Sequence, residues 1–206
     1  MTDFFALLQE PRRPWLDPAA LRSRFIELSS GAHPDRVHTA SEADKLLANE
    51  RYQNLNAAHT VLREPRERLL HLLELERGAR PGDIQRIPPG TMDLFVEVGQ
   101  TCRDADTFLA SRAQATSPLV KVQWFGQAQA WTDKLMALQK AINQRRDSLV
   151  TELQSMNAAW ETAPPPPDPA RPAALPLDRL EQIYRIFSYV SRWTEQVQER
   201  IVQLAF

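Results

Sequence analysis

Apolar residues recur at intervals of three and four along most of this chain, and strict alternation is almost absent. That period is helical. No hairpin dipeptide sits between alternating apolar runs, so the pattern predicts no sheet. Residues 4–9 (FFALLQ) read as one short helix, stopped by Pro11 and Pro14. Asp17 is a good N-cap with Pro18 at the first helical position, and Leu21, Phe25 and Leu28 then form one stripe that ends at Gly31. Arg22 and Arg24 fall away from that stripe. Ser41 caps a third predicted helix, with Asp44 as capping-box partner and Leu47, Leu55, Ala58 and Leu62 at apolar positions. Pro65 opens a fourth, PRERLLHLLELERG, closed by Gly78.

Residues 78–90 have the Gly/Pro content of a linker. Long helices are predicted beyond it at 91–112, at 117–161 with room for one break, and at 177–205. The last places Leu180, Ile183, Tyr184, Phe187, Val190, Trp193 and Val197 at spacings of three and four, as in a helix packed in a bundle. Between the last two lies PPPPDPARPAALP, a composition that favours a stiff polyproline spacer and opposes helix. The expected architecture is therefore all-α: an N-terminal body at 1–77, a linker at 78–90, and a helical bundle at 91–206 with a Pro-rich loop at 163–176.

Composition narrows the function. With 206 residues and 43% hydrophobic content the chain can bury a core. Its 25 basic and 26 acidic residues leave a formal net charge of -1, so no long-range field draws it to nucleic acid or anionic lipid. No apolar run approaches the roughly 20 residues that span a bilayer. The single cysteine, Cys102, makes neither an internal disulfide nor a thiolate metal site, which reads as a reducing compartment, the cytoplasm. His38, His59 and His71 lack paired metal-ligand spacing. No nucleophile, phosphate loop or metal set accompanies any of them, so a hydrolase reading is poor and no catalytic residue, metal or cofactor is expected.

The break at residues 31–40, GAHPDRVHTA, is more informative. Proline disfavours helix in the residue before it, so His33-Pro34-Asp35 forces a loop between two predicted helices. An exposed acid beside a ring donor suits a partner's arginine. With the short first helix, this tripeptide and LNAAHTVLREPRERLLHLL downstream, the first eighty residues resemble a J domain: an antiparallel helix pair with an HPD loop. FFALLQEPRRPWLDPAALRSRFIELSSGAHPDR and the closing LDRLEQIYRIFSYVSRWTEQVQERI resemble one branch, the HscB-type co-chaperones of iron–sulfur cluster assembly.

That resemblance implies a DnaK/HscA-type ATPase chaperone as partner, bound through His33, Pro34, Asp35 and Arg36 with Arg22 and Arg24 on the second helix. No chemistry would occur on this chain; it would bias the partner's conformational equilibrium. Ser29-Ser30-Gly31-Ala32 lacks the basic and aromatic residues of many J domains, which implies a weaker or more selective contact. For Arg22 and Arg24 a solvated helix face is the competing reading, and Arg68 is read as pairing with an acid inside the J domain. The resemblance further implies that an IscU-type cluster scaffold is held by the first bundle helix, here through Met92, Leu94, Phe95, Glu97 and Val98. The acids Asp93 and Asp104 lie nearby, and Gly99 is expected to interrupt the helix. Core packing is the competing reading for each apolar residue in that set. A J-domain co-chaperone for a different client, and a J-like adaptor that stimulates no ATPase, remain as alternatives.

Overall fold

The computed structural model describes residues 1–32, 41–82, 88, 90–113 and 118–205, with the side chains of 118–123 outside the description. Among these residues there are helices and no strand: α1 (Phe4–Leu7), α2 (Pro18–Gly31), α3 (Glu42–Arg63), α4 (Pro65–Arg77), α5 (Met92–Ala113), α6 (Pro118–Thr162), α7 (Arg171–Ala174) and α8 (Leu177–Ala205). The all-α expectation holds. Caps fall where the sequence places them. Asp3 accepts from the Phe5 and Ala6 amides, and Asp17 from the Ala20 amide at 2.8 Å. Ser41 accepts from the Asp44 amide, while the Asp44 carboxylate takes the Ser41 hydroxyl. Gly78 closes α4 with φ of +71°, a left-handed conformation that glycine adopts without Cβ strain. The expected interruption at Gly99 is absent, and so is the break for which 117–161 had room. α6 runs unbroken to Thr162, and Gly99 sits inside α5, where a Cβ would meet only the end of Arg103.

Contacts cluster into two compact units, Met1–Asp83 with Thr151–Tyr184, and Ile84–Val150 with Arg185–Phe206. These are not the boundaries expected from composition, 1–77, 78–90 and 91–206, because 151–184 packs with the N-terminal residues.

In the first unit, α1 and α2 both pack on α3, and α3 on α4. Phe25 of α2 stacks on His59 of α3 with ring centroids 4.2 Å apart. Leu28, further along α2, borders a groove with Leu47 and Leu55, earlier along α3, so the two helices run antiparallel. Leu47, read from periodicity as apolar core, is exposed together with Leu46. α4 is buried over the whole run Arg68–Leu73 and again at Glu76. A helix buried all round must have neighbours on every side.

Arg68 is one of these buried residues, and its partners are carbonyls, not the expected acid: Nε donates to Pro14 O at 2.9 Å and Nη1 to Leu62 O at 2.6 Å. Burial lowers its pKa to about 10, so it stays charged at neutral pH, and Glu64 offsets part of that shift. His71 is buried too. Its Nε2 accepts from the Phe4 amide at 3.1 Å, which requires the neutral ring, and the ring packs against Phe4 and Phe5.

The proline-rich segment is not an extended spacer. The Asp168 amide donates to Pro165 O at 3.0 Å, closing a turn, and α7 follows with a proline in its first turn, where the missing N–H leaves no bond unmade. The buried Arg171 sends Nε and Nη2 to the Glu76 carboxylate at 2.7 and 2.8 Å and Nη1 to Pro164 O at 2.7 Å. Trp160, expected in the bundle, instead donates its indole N–H to the same Glu76 in the first unit.

The second unit contains α5, residues 118–150 of α6 and residues 185–205 of α8. Val98, Cys102 and Ala105 of α5 are buried in its core, as are Leu135 and Ile142 of α6 and Val190 and Val197 of α8. Arg200 clasps α5 through Asp106 Oδ2 at 2.7 Å and Cys102 O at 3.3 Å. Cys102 is a free, buried thiol whose pKa burial raises, the reverse of what a nucleophile requires.

Two outcomes follow for stability. Arg68→Met strands two buried carbonyls and should cost about 3 kcal/mol in urea unfolding. Burial holds His71 below its ordinary value near 6.5, with Arg12 acting the same way and Asp3 and Glu74 opposing. The unfolded chain then binds the extra proton, so stability should fall as pH drops from about 7 to about 5. His71→Gln should reduce that fall, leaving the contribution of His59, which burial, Arg63 and Arg22 shift in the same direction. Urea midpoints across that range check both.

Candidate functional site

Of the residues expected to meet a chaperone, His33, Pro34, Asp35 and Arg36 lie outside the described residues. What the structure does supply is the pair of helices on either side of them. α2 ends at Gly31 with Ala32 as its cap, and α3 begins at Glu42. Because α2 and α3 lie antiparallel, those two ends belong to one end of the pair. Arg22 is exposed on α2, near enough to His59 to help lower that ring's pKa. Arg24 is half-buried and engages Glu27 at 2.9 Å, one turn on. Exposed pairs of this kind are worth little and yield readily to a partner carboxylate.

The second set lies on α5 in the second unit. Met92, Phe95 and Val96 are exposed at 52%, 39% and 57%. Met92 and Val96 are one turn apart and share a face, and Phe95 borders it. Asp93 and Glu97, also one turn apart, are exposed along the adjoining flank. Asp104 continues that flank half-buried, held by Gln100 Nε2 at 2.7 Å. Leu94 is half-buried. Val98 does not belong to the strip: at 1% exposure it points into the core with Cys102 and Ala105. Val96 was missed. It stands two residues from Val98, and on a helix that places it on nearly the opposite side, a distinction that periodicity carries once the core face is known.

The strip has an aromatic border on α8. Phe95 meets Tyr189 edge-on at 6.3 Å and Trp193 at 6.4 Å, and those two rings lie 5.7 Å apart. Arg192 lies over the Tyr189 ring at 6.0 Å. The result is a surface of exposed apolar groups flanked by carboxylates. It can bind an apolar and basic protein face, and it holds no nucleophile. Among the described residues no cluster of three His, Cys, Asp or Glu could hold a metal, and no helix is long and apolar enough to cross a membrane.

No protein-family model matches the chain. A co-chaperone protein HscB homolog from Pseudoalteromonas atlantica is 40% identical to it over 73 residues, 35% of this chain and 42% of that protein. Another from Cupriavidus taiwanensis is 38% identical over the same shares. Among solved structures, the chaperone HscB from Vibrio cholerae matches with a TM-score of 0.64 over 98% of this chain and 99% of its own, at 21% identity. In fold this chain is similar to that HscB. The human co-chaperone protein HscB matches with a TM-score of 0.58 over 98% and 81% of the two chains, at 18% identity. The HscB likeness in sequence spans less than half the length of either curated relative, and at these identities the structural likeness to HscB is one of fold.

Core and strip separate on α5 by mutation. Val98→Ala should cost about 2 kcal/mol, whereas Val96→Ser should stay within about 0.5 kcal/mol of wild type. Chemical denaturation of the two variants side by side checks the assignment.

Proposed function

We propose that this chain is a cytoplasmic J-domain co-chaperone. It binds a DnaK/HscA-type ATPase through the His33-Pro34-Asp35 loop, with Arg36, Arg22 and Arg24 beside it, and stimulates ATP hydrolysis there. It carries a client, an iron–sulfur cluster scaffold of the IscU type, on the α5 strip of Met92, Phe95, Val96 and Glu97, with Leu94 half-buried on the other side of the helix. The observation that carries this reading is the agreement of sequence and fold: both likenesses, one at 40% identity and one over 98% of the chain, are to co-chaperones of the same kind.

The physical arrangement supports the division of labour. His33-Pro34-Asp35 falls between two antiparallel helices that a buried core holds in place. The α5 strip has the composition of an interface, aromatic and aliphatic groups bordered by charge. The chain contributes no reacting group, so its effect on ATP hydrolysis is exerted through whichever state of the chaperone it binds better.

A second reading has its own observation. α2 offers only Arg22 and Arg24 as cations, and Arg24 is engaged by Glu27. A contact this sparse supports a J-like adaptor that holds a client and stimulates no ATPase. Steady-state ATPase assays with a cognate chaperone separate the two. The co-chaperone reading expects stimulation by the wild-type chain that falls to near the basal rate in His33→Gln, and pull-down of a cluster scaffold that weakens about tenfold or more in Phe95→Ser. Scaffold binding without stimulation would establish the adaptor, and stimulation that survives His33→Gln would remove the loop from the mechanism.

A further inference from the structure

The N-terminal body is half of something larger. α4 is buried on all sides, and α1 and α3 supply only some of those sides. His71 meets Phe4 and Phe5, and Arg68 meets Pro14 and Leu62. The rest comes from residues far along the chain. Glu76 is closed over by Trp160 and Arg171, Arg77 pairs with Asp178 at 2.7 Å and with Glu181, and Arg66 lies over the Tyr184 ring. A further tie sits before α2: the Asn157 side-chain amide accepts from the Trp15 amide and donates to the Trp15 carbonyl, both at 3.0 Å. One side chain thus satisfies both backbone groups of a residue 142 positions earlier, as a β-bridge would.

The Glu76–Arg171 pair differs in kind from the others. Both side chains are almost wholly excluded from water, at 1% and 7% exposure. Taking either charge out of water is costly unless the partner is in place, and the penalty for removing one partner is correspondingly large. Glu76 is met by three N–H donors and Arg171 by the carboxylate and Pro164 O. Such a pair tolerates one arrangement and penalises any other.

We infer that Thr151–Tyr184 is the second half of the N-terminal body, and that the proline-rich segment is a strap, locked by the buried Glu76–Arg171 pair, which makes the two halves open as one cooperative unit. The strap's outer residues, 165–170, are exposed, and Arg171 and Leu175 are buried. The claim is independent of any chaperone or client.

Amide hydrogen exchange on the full chain tests it. In Arg171→Met, protection should fall by about a hundredfold or more across 69–76, 151–162 and 177–184 alike, because an unpaired buried carboxylate remains. α5 should exchange as in the wild type. A loss confined to 163–175 would make Arg171 a local tether and overturn the inference, as would no loss at all or a loss shared equally by α5. The wild-type chain supplies a measurement that does not depend on a variant folding. Under mild denaturant, α4 and residues 151–162 should report one common opening free energy, and two distinct values would overturn the inference as well.

Discussion

A buried guanidinium is tolerable only where its N–H donors find acceptors, and in this chain that constraint organises the N-terminal body. Arg68 sits at the start of α4 and reaches back to Pro14 O, just before the cap of α2, and to Leu62 O, at the end of α3. Its two bonds hold the entry to α2 and the exit of α3 against one residue. The helix pair that flanks the His-Pro-Asp loop is therefore fixed at the end distant from the loop. Stacking of Phe25 on His59 carries that order along the pair.

The α5 strip obeys the opposite rule. Val98, Cys102 and Ala105 satisfy the core, so Met92 and Val96 could be polar at little cost to packing. Single exposed apolar residues are ordinary; a contiguous set with Tyr189 and Trp193 alongside and two carboxylates on its flank is an interface composition. Partial burial of Phe95 against those rings matters here. An aromatic side chain already held by neighbours loses less freedom when a partner covers it.

Much of this was readable from residues alone. The 3.6-residue period, Asp17-Pro18, Ser41 and Gly78 set the ends of α2, α3 and α4 because capping is local chemistry. The resemblance rested on the order of short segments around His33-Pro34-Asp35, and the fold likeness agrees with it. What escaped the reading depended on distant partners. Proline content describes local backbone preference and says nothing of Arg171, whose conformation is decided by Glu76, 95 positions away. Val96 and Val98 are the same amino acid two positions apart, and only the location of α6 and α8 tells which one faces water. Gly99 lowers helix propensity by about 1 kcal/mol relative to alanine, too little to break a helix of 22 residues anchored by five buried ones.

Under the proposed function, the two buried arginines also bear on how a co-chaperone could influence an ATPase. Such a protein acts only through differential affinity, and every degree of freedom frozen on docking subtracts from that affinity. Hydrophobic packing alone leaves side chains that can exchange rotamers and slide, whereas a guanidinium with fixed acceptors admits a single register. Arg68 and Arg171 impose such registers on both flanks of α4, the helix at the centre of the body that carries the loop. For the Glu76–Arg171 pair stability is a poor explanation, since two apolar residues of equal volume replacing both partners would serve it as well or better. Specificity of conformation is the better one: the chain gains a loop whose ends are already placed before any partner arrives.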